Sequence, residues 1–398
     1  VTPRTVIATV DGFHDAVEAL AGGTGPVAVD AERASGFRYS QRAYLIQLYR
    51  RGSGTFLIDP PAIAEFAPLQ EVIGDVEWVL HAASQDLPCL REVGLDPVTV
   101  FDTELAARLL GLPRVGLGSV VEELLGIHLA KEHSAADWST RPLPASWLEY
   151  AALDVELLID LRDAMVVLLE EQGKTELARQ EFEAVVAKEE KAPLAEPWRR
   201  LTGVSALRPD RHLAAARELW LARDELARST DTAPGRLVPD ASLMVAAKAL
   251  PTSRRDLAAL KQFSGRASRS EIDRWWAAIE RALSTDDIPV QRRATDTLPP
   301  PRSWSDRNPE ADVRLKAARA ALTAIGEEYA IPLENLLTPD FLRRVAWNAP
   351  DPVTVETVSA ALAELGARPW QIELTAQPIA DSFVEAAQSG EAPESDGS

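Results

Sequence analysis

The sequence predicts an α/β domain with a mixed sheet, followed by all-α helical modules. Two observations carry the first part. Apolar strand-like runs at 27–30, 44–49 and 55–58 are joined by connections that read as short turns, with Gly52 and Gly54 punctuating the second. A parallel crossover needs a dozen or more residues, so these strands are expected to be antiparallel neighbours. Apolar strands then alternate with helical patterns, as they do in β/α units. A third observation carries the second part: beyond residue 197 the periodic stretches have helical spacing, separated by Pro, Gly and Ser.

Taken in chain order, a helix is expected over 64–73, a strand over 78–81, a helix over 85–93 and a strand over 98–101. Asp102 or Thr103 is placed to cap the next helix. Ser119 and Glu122 have capping-box spacing and are expected to start another. Pro144 suits the first turn of a long helix through 172. The two prolines of 191–197 end that stretch and mark a linker. Helices follow over 212–228, 240–249, 254–260 and 269–283. A proline-rich linker at 288–305 precedes a second set over 310–329, 339–347 and 353–365. The two sets share length and element order, as a duplicated module would. The expected divisions are 1–190, 205–290 and 306–376. An acidic, Gly/Ser-rich tail over 377–398 is expected to be disordered.

At 398 residues the chain is too long for one ordinary domain. Its 46% hydrophobic and 26% charged residues are those of an ordinary globular protein. No apolar run approaches the ~20 residues that span a bilayer, and the first residues lack the regions of a signal peptide. A cytoplasmic location is therefore expected. Cys89 is the single cysteine, so no internal disulfide or zinc pattern can form around it, and a buried thiol is expected. The net charge of −19 argues against nucleic acid on its face. Its distribution argues otherwise: residues 198–293 carry 18 basic against 12 acidic side chains, a net of +6.

The chemistry lies in scattered carboxylates. An apolar strand over 27–30 ends in Asp30, with Glu32 two residues on. Side chains at i and i+2 of a strand share a face. Two such acids at a buried strand end repel one another and lose solvent, and divalent cations relieve both costs. Hard oxygen ligands suit Mg²⁺ or Mn²⁺. "HAASQDLPCL" places Asp86 after another apolar strand, where it could equally cap a helix. "YAALDVELL" places Tyr150 and Asp154 four residues apart, on one helix face.

This set (D-x-E after one strand, an Asp after a later strand, Y-x-x-x-D on a later helix) resembles the tyrosine-bearing branch of the DEDD superfamily of 3′–5′ exonucleases. Within it the chain is similar to the ribonuclease D family. The segments "YLIQLYRRGSGTFLIDP" and "VFDTELAARLLGLPRVGLGSVVEELLGIHLAKEHSAADWSTRPLP" extend the likeness over roughly 5–185. The region near 207–284 resembles the helicase-and-RNase-D C-terminal (HRDC) module, and the last helical set a more divergent copy. The resemblance implies a ribonuclease H-like catalytic domain and a metal-dependent 3′–5′ exoribonuclease that releases 5′-monophosphates. Its implied substrate is RNA with a single-stranded 3′ end, tRNA precursors foremost. It implies two divalent cations, Mg²⁺ or Mn²⁺, the first on Asp30, Glu32 and Asp154 and the second on Asp30 and Asp86, with Tyr150 orienting water. A monomer is expected. Two other readings stay open at this point: a DNA exonuclease on the same site, and a nucleic-acid-binding protein without catalysis.

Around this set, His81 reads equally as a candidate for the wall of the site and as a core-edge histidine, and Arg254, Arg255, Lys261, Arg266 and Arg269 are candidates for gripping RNA phosphates. Gln47 reads better as a hydrogen-bonded amide in a packed strand than as a substrate contact. Asp102 reads as a helix cap. His128 and His133 read as surface residues. Trp138, Arg141 and Trp147 fit either nucleotide stacking or core packing.

Overall fold

The three-dimensional structure, a computed structural model, describes residues 4–129, 135–189, 192, 194–207, 210–290 and 298–390. The first domain runs β1 (Val6–Ile7), α1 (Val10–Ala21), β2 (Thr24–Arg33), β3 (Ala43–Arg51), β4 (Gly54–Ile58), α2 (Ala67–Ile73), β5 (Trp78–Leu80), α3 (Leu87–Arg91), β6 (Val100–Asp102), α4 (Thr103–Leu109), α5 (Leu117–Leu125), α6 (Ala145–Glu156), α7 (Leu158–Glu171) and α8 (Thr175–Val186). The six strands lie in the order β1-β4-β3-β2-β5-β6. Strands β2, β3 and β4 form the expected antiparallel meander, while β1 on β4, β5 on β2 and β6 on β5 are parallel. The sheet is thus mixed, and β2 is central. Val27, Ala28 and Val29 are buried on both faces of it, which explains their unbroken apolar run.

Three local expectations are corrected. The helix expected from Ser119 starts earlier, at Leu117 behind Gly116, and no side chain caps it. Ser119 already lies in its first turn. The long helix expected from Pro144 to 172 breaks at Leu157. The break lets α6 pack against β2, β3 and β4, while α7 turns onto β2 and β5. Pro144 itself stands just before the first turn. Two elements lay below the expectation: β1 is only two residues long, and α1 hides its apolar stripe of Phe13, Ala16 and Leu20 among acids.

The first helical module comprises α9 (Arg211–Ser229), α10 (Pro234–Leu237), α11 (Asp240–Ala249), α12 (Arg254–Ala259), α13 (Arg266–Ser270) and α14 (Ile272–Ser284). Its core is separate, built around Leu219, Phe263, Trp275 and Ile279. It docks on the β2–β3 loop of the first domain. Ala233 N donates to Phe37 O at 3.0 Å, and Arg236 Nε donates to Gly36 O at 2.7 Å. The Asp231 carboxylate accepts from Ser40 N at 2.9 Å and from the Tyr44 hydroxyl at 3.1 Å. Asp231 adopts φ +43°, left-handed backbone that favours glycine. Its side chain's two interdomain bonds account for an Asp there.

The second module comprises α15 (Trp304–Arg307), α16 (Pro309–Glu328), α17 (Leu333–Leu336), α18 (Pro339–Trp347), α19 (Val355–Glu364) and α20 (Pro369–Gly390). Helix α20 overturns the expectation of a disordered tail over 377–390. Ile379, Ala380 and Phe383 are buried at helical spacing, and α20 packs on α16 and α19. Composition alone concealed that stripe, because acids and Gln occupy the outer face. Residues 391–398 lie outside the described residues. The core of this module is continuous with the layer of α4, α7 and α8 in the first domain. Trp370 Nε1 donates to Glu181 at 3.0 Å, and Arg368 pairs with the same carboxylate at 2.6 Å.

Candidate active site

Strand β2 delivers Asp30 and Glu32 at its C-terminal end, and α6 lays Asp154 over the sheet. One carboxylate oxygen from each of the three lies within 4.8 Å of the other two. Gln47, fully buried opposite Asp30 on β3, donates to Asp30 Oδ2 at 3.3 Å. The amide therefore holds a site carboxylate as well as filling the strand. Tyr150, one turn before Asp154, donates its hydroxyl to that carboxylate.

Asp86 follows β5 after a short 3₁₀ turn, Ala83–Gln85. It is 7% exposed and caps nothing with its side chain. The alternative of a helix cap therefore fails. Asp86 stands beside the three converging acids: its charge acts on Glu32 and is itself opposed by Asp30. The turn that carries it is held by Asp102, which accepts from Ala82 N at 3.1 Å and Ala83 N at 2.8 Å. Asp102 also caps α4 through Glu104 N and Leu105 N. It is thus the expected cap, and it also fixes Ala82 at φ +62°, an unusual value for a non-glycine residue.

The electrostatics follow from burial and crowding. Desolvation, then the charges of Asp30, Asp154 and Asp86, hold the Glu32 carboxyl well above the usual range. Burial raises Asp30 too. Burial and the Asp30 charge push Asp86 well above its ordinary value and Asp154 up to about 7. Burial also raises the Tyr150 hydroxyl above its usual value, helped by Asp154 and Glu32, so it is a donor and not a base. A dense set of hard oxygens that resist ionisation without a counter-charge fits a divalent cation. Arg33, which the sequence reading passed over, brings the nearest positive charge: its Nη2 lies 3.9 Å from Asp86 Oδ1.

His81 takes the second of its two readings, that of a core-edge residue. Its Nδ1 meets the Thr103 hydroxyl at 2.9 Å, and that hydroxyl donates to Leu80 O. Burial lowers its pKa to about 4, and the charges it senses are Glu104 and Arg108. It is a neutral histidine at the edge of the core. Trp138 is fully buried against Trp147, ring centroids 5.2 Å apart. Arg141 forks onto Asp59 at 2.7 and 2.8 Å and also donates to Tyr44 O. These three residues pack the domain. His128 is exposed beside Glu122; His133 lies outside the described residues. Of the basic candidates, Arg254 pairs with Asp273. Arg255, Lys261, Arg266 and Arg269 are exposed on α12, the following loop and α13. Cys89 is buried, as expected.

A mixed sheet whose central strand ends in D-x-E, with a third acid after β5 and Y-x-x-x-D on a helix laid across it, defines a DEDD-type 3′–5′ exonuclease. The family model described as 3′-5′ exonuclease matches residues 5–170, the HRDC domain model matches 212–279, and the 3′ to 5′ exonuclease C-terminal domain model matches 297–383. The chain is 33% identical over 273 residues to Ribonuclease D of Pseudomonas paraeruginosa, 68% of this chain and 70% of that one. It is 31% identical over 315 residues to Ribonuclease D of Escherichia coli, 78% of this chain and 81% of that one. The chain belongs to the ribonuclease D family and is a 3′–5′ exoribonuclease. Among solved structures it is similar to a protein from Bifidobacterium adolescentis, with TM-score 0.87, 38% identity and coverage of 96% and 98% of the two chains. It is also similar to Escherichia coli RNase D, described as an exoribonuclease involved in structured RNA processing, with TM-score 0.70, 27% identity and coverage of 97% and 98%. The expected fold, family and activity all hold. Among the described residues no helix is long and apolar enough to cross a membrane.

Proposed function

We propose that this chain removes nucleotides one at a time from the single-stranded 3′ ends of RNA, tRNA precursors foremost, using two divalent cations, Mg²⁺ or Mn²⁺. The convergence of Asp30, Glu32 and Asp154 within 4.8 Å carries the reading. Asp30, Glu32 and Asp154 would hold one ion, and Asp30 with Asp86 the other. Bound there, such ions acidify water and stabilise negative charge on a departing 3′ oxygen. Tyr150 would orient the attacking water through its hydroxyl, since that group keeps its proton at neutral pH. Gln47 would keep Asp30 turned toward the site.

The divisions 1–190, 205–290 and 306–390 serve this chemistry differently. The first holds the acids. The second presents Arg255, Lys261, Arg266 and Arg269 to RNA phosphates, with a paired Arg254 beside them. The third braces the layer of α4, α7 and α8. The protein would act as a monomer in the cytoplasm. The test is digestion of labelled single-stranded RNA and DNA with Mn²⁺ or EDTA, by wild type and Asp30→Asn. RNA trimming that needs metal and falls at least ~10³-fold in a folded Asp30→Asn variant is expected. Near-normal turnover by that variant would overturn the site, and equal digestion of DNA would overturn the substrate class.

A further inference from the structure

Strict alternation along β2 would aim Arg33 away from the face that carries Asp30 and Glu32. The ladder does not stay regular there. Glu32 lies opposite Leu45, but Arg33 lies opposite Ala43, so the pairing slips by one residue between them. Such irregularities re-aim side chains and recur beside active sites. The outcome is visible in the contact: Arg33 Nη2 faces Asp86 Oδ1 at 3.9 Å. That distance is an ion pair but too long for a hydrogen bond. The Arg33 side chain is 28% exposed and makes no side-chain hydrogen bond among the described residues. Its five donors are therefore largely unspent.

Arg33 also lines a cavity of about 220 Å³ with Glu32, Ser35, Gly36 and Phe37, next to the carboxylates. The far wall of that cavity is pinned: Arg236 of the first helical module stacks on the Phe37 ring at 3.9 Å and bonds to Gly36 O. A planar guanidinium at the border between a carboxylate cluster and a braced cavity matches the geometry of a phosphate oxygen pair.

We propose that Arg33 is an exchangeable counter-charge and a substrate-binding residue. Without cations it neutralises Asp86. With cations on the carboxylates it turns to the phosphate of the 3′-terminal nucleotide in the adjoining cavity. This rests on the assignment of the acids as a cation site. Arg33 then competes with metal and cooperates with nucleotide, two effects of opposite sign that a tie holding Asp86 in place would not produce.

The experiment is calorimetric titration of wild type, Arg33→Gln and Arg33→Lys, first with Mn²⁺ alone and then with a nucleoside 5′-monophosphate at saturating Mn²⁺. Arg33→Gln should bind Mn²⁺ several-fold more tightly and the nucleotide about 10-fold more weakly. Arg33→Lys should keep wild-type Mn²⁺ affinity, because the charge stays, and lose part of the nucleotide affinity, because the fork is gone. Mn²⁺ affinity that is unchanged or weaker in Arg33→Gln, or nucleotide affinity equal to wild type, overturns the inference while leaving the cation site standing. A wild type that takes up no Mn²⁺ overturns the cation site and this inference with it.

Discussion

Replacing Asp154 with Asn removes one negative charge from the carboxylate cluster while keeping an oxygen to accept from Tyr150. Asp154 has its pKa raised from 3.8 to about 7, first by burial and then by Asp30. The folded state therefore binds its proton more tightly than the unfolded chain does. Its contribution is neutral below pH ~4, turns destabilising as pH rises toward 7, and is wholly unfavourable above that. At about 1.4 kcal/mol per unit the rise corresponds to roughly 4 kcal/mol at pH 8. Relaxation and water entry in the metal-free site lower this to about 2 kcal/mol. Asp154→Asn should thus be more stable than wild type in EDTA at pH 8. For a unit the size of the catalytic domain, ~2 kcal/mol is a Tm gain of about 4–8 °C. Thermal melts in EDTA across pH 4–8 provide the assay, with the gain vanishing toward pH 4. Added Mn²⁺ should reverse the order, because wild type gains more binding free energy from the cation. A variant that melts below wild type in EDTA at pH 8, or shows the same pH slope, would refute the view that these acids repel one another until a cation arrives.

Other outcomes follow from single contacts. Tyr150→Phe should lower kcat about 10²-fold with Mn²⁺ affinity within about twofold of wild type, read by steady-state kinetics and calorimetry; unchanged kcat would remove the hydroxyl from the chemistry. Changing Arg255, Lys261, Arg266 and Arg269 together to Ala should reduce the slope of log affinity against log salt for single-stranded RNA by up to ~3, at about 0.7 per lost phosphate contact. An unaltered slope would place the RNA grip elsewhere. Phe383→Ala should cost about 3 kcal/mol in urea unfolding, since the ring is 1% exposed on α20; an unshifted midpoint would mean that α20 does not support the fold.

Much of the site was legible in sequence because its parts obey short-range rules. The apolar run before Asp30 marks a buried strand, i and i+2 place Glu32 on the same face, and i and i+4 place Tyr150 over Asp154. Residue chemistry then limits what three half-buried acids can do. Asp86 was ambiguous for the same reason: an Asp before a short helix is most simply a cap. Its side chain caps nothing, and Asp102, sixteen residues on, holds the preceding turn through Ala82 N and Ala83 N. His81 and the Trp138–Arg141–Trp147 group look functional by position, yet packing and backbone partners absorb them.

By itself, then, the amino-acid order determined most strand and helix types and the candidate acids, because those depend on periodicity and residue chemistry along a few turns of chain, and its motifs carried the family resemblance. Tertiary packing alone decided which acids converge and which one stands aside. It aimed Arg33 at Asp86 through a slip in the β2–β3 ladder, and it seated the first helical module on the Phe37–Tyr44 loop through Asp231. It also turned an acidic, disordered-looking terminus into α20, whose apolar stripe gains stability only once α16 and α19 cover it. Each of these depends on groups far apart in the chain, whose meeting is set by the free energy of burying the whole surface together.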